Sequence, residues 1–380
     1  MIRVLEAISD TNIGGAGRLL LARLEESDRA RFDEIVILPK ASKLCPHLDA
    51  LGVKYIEIDG CGDCSLDIFA IPKLYRALRH VRPQILNSHA CLSARIAGRL
   101  AGVPVVIQTR HSSFPIGKFY DNRVVRAAVR SASRIFTDRI IAVAHIVAHD
   151  LVRMGVERER ISVIINGARP LYRASENDIK ATREHLGIPS GARVVGICAR
   201  LEKCKDHETF LRAAKLICKR DGDYRFLIVG EGSERHALER LSRQIGIAHR
   251  VIFTGFCDNI AEYMSLFDVN VNCSVGTETS SLALSEGMSL GIPAIASDYG
   301  GNPYMVHDGV NGFLYPQGNE EELAKKILLL EDENLYKKLS RGAKKRFEDE
   351  LNSRRMTRLT EKLYVSLLKK RIDHHRSMRP

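Results

Sequence analysis

The sequence predicts an α/β protein of two domains, each built on a parallel sheet that helices cover on both faces. Its 380 residues exceed one average domain and suit two of roughly 150–200 residues. Short apolar strand-like runs alternate with helical patterns, which is typical of parallel sheets. The polar residues 171–190, which include Pro189, interrupt the series and indicate a connector. We therefore expect domains at 1–170 and 171–352, followed by a basic helix and tail at 353–380.

The first half of the chain alternates regularly between strand and helix. The predicted strands are 2–8, 35–38, 53–56, 84–87, 103–108 and 140–143, and the predicted helices are 19–24, 43–51, 67–80, 91–101 and 120–134. Ligands of such sheets bind beyond the carboxyl ends of the strands. That rule selects His89, after strand 84–87, and the segment 109–113 with His111, after strand 103–108. A purely structural role for these histidines is the alternative.

A glycine-rich turn joins the first strand to the first helix. It covers residues 9–18 and contains Gly14, Gly15 and Gly17. Glycines there let the backbone approach a ligand closely. Their spacing differs from the G-x-G-x-x-G fingerprint of dinucleotide-binding folds. The turn therefore indicates either a ligand contact or a tight strand-to-helix connection.

A second series of strands begins after a change in composition. The predicted strands are 161–165, 194–198, 226–229, 251–253, 269–272 and 292–296, with a helix at 207–219. Arg200 and Lys205 follow the end of strand 194–198. A guanidinium and an ammonium at this spacing can hold the two phosphates of a diphosphate. A surface pair of cations is the alternative.

The segment 276–306 is the most informative part of the chain. Ser280 and Ser281 are predicted N-caps of a helix that Gly291 ends. A strand, a loop of small residues and a helix N-terminus together attract anions. Glu278 and Glu286 flank this platform with seven residues between them. Because carboxylates repel phosphate, they suit hydroxyls of a sugar and a ribose on either side of it.

Composition restricts the partners and the compartment. The net charge of +12 indicates an anionic partner such as a nucleotide sugar, a nucleic acid or an acidic membrane surface. The nine cysteines are scattered and odd in number, which favours a reducing, cytoplasmic compartment. No apolar run reaches the roughly 18–20 residues of a membrane-spanning helix. The charged N-terminus is expected to be a strand, not a signal peptide.

A cationic helix face is predicted within 120–134. Arg123, Arg126, Arg130 and Arg134 recur at spacings of three and four, which puts them on one face. Attachment to an anionic membrane surface is one interpretation, and a solvated basic face is the other.

These motifs resemble the retaining glycosyltransferases of family 4, which have the GT-B fold. The resemblance covers most of the chain and is strongest over 194–315. It is carried by several short segments: E-x7-E from Glu278 to Glu286, G-I-P-A-I-A-S-D at 291–298, G-G-N-P at 300–303, A-R-L at 199–201 with Lys205, I-I-N-G at 164–167 and G-G-A at 14–16. The resemblance implies two Rossmann-like domains facing across a cleft, with the C-terminal helix returning to the first domain.

The resemblance also implies roles for individual residues. Glu286 is expected to hold the ribose hydroxyls and Glu278 to contact the transferred sugar, while Arg200 and Lys205 neutralise the diphosphate. The remaining expected contacts are the amides of Ser281 and Leu282 to the diphosphate, His111 beside the sugar, Gly15 near the phosphate, and Asn259, within 257–260, near the base.

The function implied is transfer of a hexosyl group from a UDP- or GDP-sugar, without a metal ion or other cofactor. The expected acceptor is a glycan or a polyprenyl-diphosphate-linked or other lipid, in cell-surface polysaccharide or lipopolysaccharide synthesis at the inner face of the plasma membrane. A sugar-nucleotide 2-epimerase of the same architecture is the alternative. Nucleic acid is not expected as a partner, because no recognised nucleic-acid module appears. The D-x-D of Asp221 and Asp223 is interpreted as a turn, not a metal site.

Overall fold

The computed structural model describes residues 1–113, 116–220 and 222–377. Contacts divide the chain into two compact units. The first comprises Met1–Gly167 with the C-terminal segment from Ser353, and the second comprises Ala168–Asn352. None of the helices in the described ranges is both long and apolar enough to cross a membrane.

The first unit is built on a seven-stranded sheet in which every neighbouring pair is parallel. Its strands are β1 (Ile2–Ile8), β2 (Phe32–Pro39), β3 (Lys54–Ile58), β4 (Ile85–His89), β5 (Val105–Arg110), β6 (Arg139–Ala142) and β7 (Ile161–Val163). The spatial order is β3-β2-β1-β4-β5-β6-β7. The order reverses between β1 and β4, and the crevice at such a point is where ligands of open parallel sheets bind.

Helices cover both faces of this sheet. They are α1 (Gly15–Glu25), α2 (Cys45–Ala50), α3 (Ile71–Val81), α4 (Leu92–Leu100), α5 (Arg123–Phe136) and α6 (His145–Arg153). Successive side chains of β2 alternate between the two faces: Val36 and Leu38 pack with Leu20, whereas Ile37 packs with Leu74. Both faces are therefore largely apolar, with Glu6 of β1 and Asn87 of β4 as buried polar exceptions.

The second unit repeats the architecture with six parallel strands. They are β8 (Arg193–Cys198), β9 (Tyr224–Val229), β10 (Val251–Gly255), β11 (Val269–Asn272), β12 (Ala294–Ser297) and β13 (Gly312–Tyr315), in the order β10-β9-β8-β11-β12-β13. Its helices are α7 (Glu176–His185), α8 (His207–Cys218), α9 (Arg235–Gln244), α10 (Ile260–Met264), α11 (Leu282–Ser289), α12 (Asn302–Met305), α13 (Glu320–Leu329) and α14 (Glu333–Arg346). Here the order reverses between β8 and β11.

The last helix, α15 (Ser353–Ser377), packs in the first unit. Tyr364 is fully buried, and Glu361 accepts hydrogen bonds from the amide of Asp28 and the hydroxyl of Ser27. The expected two α/β domains with parallel sheets, and the return of the C-terminal helix to the first of them, are confirmed.

Several element predictions were wrong. Residues 171–190 are not all connector, because α7 lies among them. Its N-cap Ser175 accepts a hydrogen bond from the amide of Asp178, and Ile179 packs against an apolar cluster. The strand predicted at 161–165 opens no second series but ends the first sheet as β7, and β13 was not predicted. Asp221, one residue of the predicted turn, lies outside the described residues.

Candidate active site

The reversal point of the second sheet brings together residues from two distant segments. The loop after β8 carries Arg200 and Lys205, and the loop after β11 carries Ser274 and Glu278. Because β8 and β11 are neighbours in the sheet, both loops leave the same edge. The two sequence motifs therefore meet at the place where the fold favours a ligand.

Lys205 and Glu278 form a direct pair at this edge. The ammonium nitrogen of Lys205 lies 2.7 Å from Oε2 of Glu278 and 3.3 Å from Oγ of Ser274. The same carboxylate oxygen accepts hydrogen bonds from Ser274 Oγ at 2.8 Å and Asn272 Nδ2 at 3.2 Å. Glu278 is 6% exposed, and three donors orient its carboxylate.

A chain of buried amides and hydroxyls supports this pair. Asn302 Nδ2 donates to Asn272 Oδ1 at 3.3 Å and lies 3.1 Å from Ser297 Oγ. Ser297 Oγ in turn donates to the carbonyl oxygen of Ser274 at 2.7 Å. All four side chains are buried. These buried hydrogen bonds favour one arrangement of the loop, although Oδ1 of Asn302 is buried without a hydrogen-bond partner among the described residues.

The loop that carries Glu278 packs directly on two glycines. A Cβ added to Gly300 would lie 2.3 Å from the carbonyl oxygen of Glu278, and one added to Gly301 would lie 1.7 Å from that of Thr279. The amide of Gly301 donates to the Glu278 carbonyl oxygen at 3.0 Å. Gly300 also has a φ of +60°, which disfavours other residues. The Gly-Gly pair thus holds the backbone around Glu278.

Helix α11 begins as expected at the far side of the loop. Ser281 is its N-cap and accepts a hydrogen bond from the amide of Leu284 at 3.3 Å. The amide of Ser281 itself donates to Sδ of Met305 at 3.1 Å, a weak acceptor. Ser280 is not the N-cap; its hydroxyl is buried and has no hydrogen-bond partner among the described residues. Leu282 is the first residue of the helix.

Three other predicted residues of this unit have different environments. Glu286 lies in the middle of α11 and is half-buried. Arg200 is exposed, and no hydrogen bond or ion pair joins its side chain to the described residues. Asn259 precedes α10 without capping it through its side chain, and is exposed. The structure therefore joins Lys205 with Glu278 but brings neither Arg200 nor Asn259 into direct contact with them.

The reversal point of the first sheet holds the predicted histidines. Nδ1 of His89, the last residue of β4, lies 2.8 Å from Nε2 of His111, which follows β5. Nε2 of His89 lies 2.8 Å from Oε2 of Glu6 in β1. Burial and the neighbouring His89 lower the pKa of His111 to about 3, so its imidazole is neutral. Burial raises the pKa of Asp10, just beyond β1.

Gly15 lies closer to the helix than the sequence predicted. Helix α1 begins at Gly15, whereas the prediction began it at Leu19, and Gly14 is the N-cap. A Cβ added to Gly15 would meet nothing within 4 Å, so this glycine borders open space at the first turn. Gly17 is different, since a Cβ there would lie 2.9 Å from Leu44.

Comparison with known proteins identifies the family. A profile of the group 1 glycosyl transferases matches residues 178–346, and a profile of glycosyltransferase family 4 matches residues 13–170. The chain belongs to the family 4 glycosyltransferases.

Individual relatives of this glycosyltransferase support the assignment. A UDP-Gal:alpha-D-GlcNAc-diphosphoundecaprenol alpha-1,3-galactosyltransferase of Escherichia coli is 25% identical over 369 residues, covering 94% of this chain and 95% of the relative. The putative glycosyltransferase EpsD of Bacillus subtilis is 29% identical over 278 residues, covering 70% and 71%. The crystal structure of Anabaena Alr3699/HepE in complex with UDP superposes with a TM-score of 0.82 at 22% identity, covering 96% and 100%, which shows the shared GT-B fold.

Sequence reasoning missed the buried polar residues of this glycosyltransferase. In the second unit these are Asn272, Ser274 and Asn302, and in the first unit Glu6, Arg23, Asn87 and Tyr364. One signal was available for Glu6, because a glutamate interrupts the apolar strand I-R-V-L-E-A-I. A charged residue inside a central strand needs buried partners.

No metal ion is expected from the sequence. Among the described side chains of residues 1–113, 116–220 and 222–373, no three from His, Cys, Asp or Glu gather closely enough to hold a metal ion. Cys61 and Cys64 are both free thiols, the first buried and the second exposed.

Proposed function

We propose that this glycosyltransferase transfers a hexosyl group from a UDP- or GDP-sugar to a glycan or lipid-linked acceptor, with retention of configuration and without a metal ion. The observation that carries the proposal is the 2.7 Å contact between Lys205 and Glu278 at the reversal point of the second sheet. A cation beside a carboxylate suits a ligand that has both a diphosphate and sugar hydroxyls. Arg200, exposed at the same edge, supplies a second cation.

The proposed mechanism depends on stabilising the negative charge that develops on the leaving diphosphate. Breaking the bond between the anomeric carbon and the phosphate oxygen leaves negative charge on the diphosphate. Arg200, Lys205 and the first-turn amides of α11 would stabilise that charge, which is the electrostatic role a metal ion has in other transferases. The acceptor hydroxyl would attack from the same face and pass its proton to the departing phosphate oxygen, so configuration is retained.

The sugar and the nucleoside of the donor are assigned to individual residues of the two units. Because all three side-chain donors described above meet Oε2 of Glu278, we assign its Oε1 to a hydroxyl of the transferred sugar. Glu286 is assigned to the ribose and Asn259, with its neighbours, to the base. In the first unit, His111 is assigned to the sugar and Gly15 to the phosphate.

The relatives support a donor and an acceptor class. The Escherichia coli relative is named for UDP-galactose and for GlcNAc-diphosphoundecaprenol, and one solved neighbour is a complex with UDP-glucose. They favour a UDP-hexose over a GDP-hexose, and a polyprenyl-diphosphate-linked sugar as acceptor. Such a product would enter cell-surface polysaccharide or lipopolysaccharide synthesis in the cytoplasm, at the inner face of the plasma membrane.

Helix α5 supports a peripheral membrane contact. Ser133 is its one buried residue, and Val124 is 76% exposed. Arg134 is paired with Glu157, and Arg130 donates to the carbonyl oxygen of Gly155. Arg123 and Arg126 are exposed, with no hydrogen bond or ion pair to other described side chains, so they remain available to lipid phosphates.

The experiment is a screen of purified enzyme with UDP- and GDP-hexoses and sugar-diphosphate-polyprenols as acceptors. We expect release of nucleoside diphosphate, an α-linked product from an α-linked donor, and unchanged turnover in EDTA. An inverted product, or EDTA inhibition reversed by Mn²⁺ or Mg²⁺, would contradict the proposed mechanism. An epimerised donor formed without acceptor would instead support the 2-epimerase.

A further inference from the structure

The first unit contains a buried polar cluster that is centred on Glu6. Glu6, in the middle of β1, is fully buried. Its carboxylate accepts four hydrogen bonds: from Arg23 Nη2 at 2.8 Å and Tyr364 Oη at 2.9 Å on Oε1, and from Asn87 Nδ2 and His89 Nε2, each at 2.8 Å, on Oε2. Two carboxylate oxygens offer about four acceptor positions, so all are occupied.

The protonation state of this carboxylate is determined by its partners. Burial alone raises the pKa of Glu6, but Arg23, His89 and Tyr364 outweigh it and lower the pKa to about 2. Glu6 is therefore an ion and can only accept hydrogen bonds. It follows that Nε2 of His89 carries a hydrogen, because it lies 2.8 Å from an oxygen that has none.

The chain of hydrogen bonds continues from His89 to His111. Nδ1 of His89 lies 2.8 Å from Nε2 of His111, and the two ring planes are within 21° of parallel. One hydrogen lies between these nitrogens, since two lone pairs or two hydrogens at this distance would repel. The neutral ring of His111 is thus held by a specific partner, and its orientation depends on that of His89.

The opposite side of the cluster is closed by α15. Tyr364 donates to Glu6 from this helix, and Met356 and Thr360 line a cavity of about 30 Å³ together with His89 and His111. The cavity has room for one or two water molecules. The charged or titratable groups beside the two rings are Glu6, which contacts His89, Arg23, which lines the same cavity, and Asp10, which lies near His89.

We propose that Glu6 and His89 are positioning residues for His111, fixing its neutral ring in one orientation and one tautomer toward the transferred sugar. Burying four polar groups around one carboxylate is costly unless every partner is satisfied. Here each of the four donor atoms is paired with the carboxylate, although Nε of Arg23 is buried without a partner among the described residues, and the hydrogen bonds continue through His89 to His111 at the carboxyl edge of the sheet. The same logic applies when a buried carboxylate orients a histidine in a hydrolase triad. The role of His111 at the sugar rests on the proposed function.

The test compares two carboxylates that share one arginine. Glu34 accepts from Arg23 at 2.7 Å, as Glu6 does at 2.8 Å, but does not contact His89. Glu6→Gln removes the negative charge and replaces one of the two acceptor oxygens by an NH2 donor, so the four donors around it can no longer all be paired, whereas Glu34→Gln changes a partner of the same arginine that does not contact the histidines. His89→Gln keeps a donor near the Nε2 position but has no nitrogen at the Nδ1 position. It therefore tests the contact to His111 without removing the Glu6 charge.

The primary readout is the tautomer of His111 by ¹⁵N NMR on the ligand-free protein. We expect one tautomer in the wild type and in Glu34→Gln, and a mixture in Glu6→Gln and His89→Gln. With donor, kcat/KM should fall roughly ten- to hundredfold in the latter two and less than about threefold in Glu34→Gln. An unchanged His111 tautomer in both variants, or equal losses in Glu34→Gln, would overturn the proposal. If the wild type uses no nucleotide sugar, the proposed function fails, while the NMR result still decides the positioning role.

Discussion

Lys205 lies 2.7 Å from Glu278, a residue 73 positions further along the chain, and the two come from loops after neighbouring strands β8 and β11. The pair joins the residue assigned to the leaving diphosphate with the residue assigned to the sugar. A ligand that carries both groups would contact both partners at once. A substitution at this contact should therefore change both the stability of the second unit and the rate of catalysis, and the two effects need separate measurements.

Lys205→Ala should reduce kcat/KM by roughly 10²–10³-fold, the loss typical of removing one group that stabilises developing negative charge. It should also destabilise the second unit, because Glu278 is then buried without its cation. Lys203→Ala is the matched control, since Lys203 lies in the same turn and is exposed. Steady-state kinetics and thermal unfolding measure the two effects.

A double variant separates the contribution of Lys205 to stability from its contribution to catalysis. Lys205→Ala with Glu278→Gln removes both charges and should recover part of the stability lost by Lys205→Ala. Activity should stay low in the double variant. Restored turnover would mean that Lys205 acts only by neutralising Glu278.

Gly301→Ala should displace the loop that carries Glu278. The new Cβ would lie 1.7 Å from the carbonyl oxygen of Thr279, so the backbone must move. We expect a loss of about 1–3 kcal/mol in unfolding free energy, with a clear loss of donor binding. Gly191→Ala is the control, because a Cβ there meets nothing within 4 Å. Equal unfolding curves for both variants would refute the packing argument.

Membrane binding should depend on two arginines of α5. Arg123→Gln with Arg126→Gln should weaken co-sedimentation with anionic vesicles, by about 1 kcal/mol for each arginine. Arg240→Gln with Arg243→Gln is the matched control, since these arginines have the same spacing on α9 and are also exposed. The wild type and both double variants should bind only weakly to neutral vesicles. A wild type that binds both vesicle types equally would exclude electrostatic attachment.

His207 should make the second unit sensitive to acid. Both its ring nitrogens are buried without a hydrogen-bond partner among the described residues, and burial together with Lys205 lowers its pKa from 6.5 to about 4. The unfolded chain therefore binds a proton more readily. Neutral His207 therefore makes its full contribution to the free energy of unfolding above about pH 6.5. As the pH falls from there toward 4, this contribution is lost, by about 3 kcal/mol in total.

The measurement is the melting temperature between pH 7.5 and 4.5. His207→Leu should flatten its decline with falling pH, whatever its effect at neutral pH. His236→Leu is the control, because the side chain of His236 is 87% exposed. The same slope in all three proteins would show that His207 is not the group responsible.

The architecture was predictable because its determinants are local. Parallel strands buried on both faces must be apolar, and the helices between them must have an apolar stripe, so alternation of the two patterns appears directly in the sequence. Helix α7 was missed because only Thr182 of its ten residues is buried, which leaves little apolar pattern to detect. β13 was missed because four residues, Gly312–Tyr315, are too few for a periodicity to be recognised.

The candidate site was predictable where charged groups follow a strand, and unpredictable where they lie within one. Arg200, Lys205, Glu278 and His111 could be selected because open parallel sheets bind ligands at strand ends. Glu6 lies inside β1, and its partners Arg23, Asn87, His89 and Tyr364 come from three other elements, α1, β4 and α15. The pairing of β1 with β4, and the return of α15, create that cluster.

By itself, the sequence determined the class of fold, the two sheet edges at which to search and the residue types that suit a nucleotide sugar, because these depend on short-range patterns. Only the tertiary structure decided that Lys205 meets Glu278 and that Glu6 supports His111 through His89. Those contacts join residues 73, 83 and 22 positions apart. The order of strands sets them, and that order follows from how the helices pack and cross over, not from any local pattern.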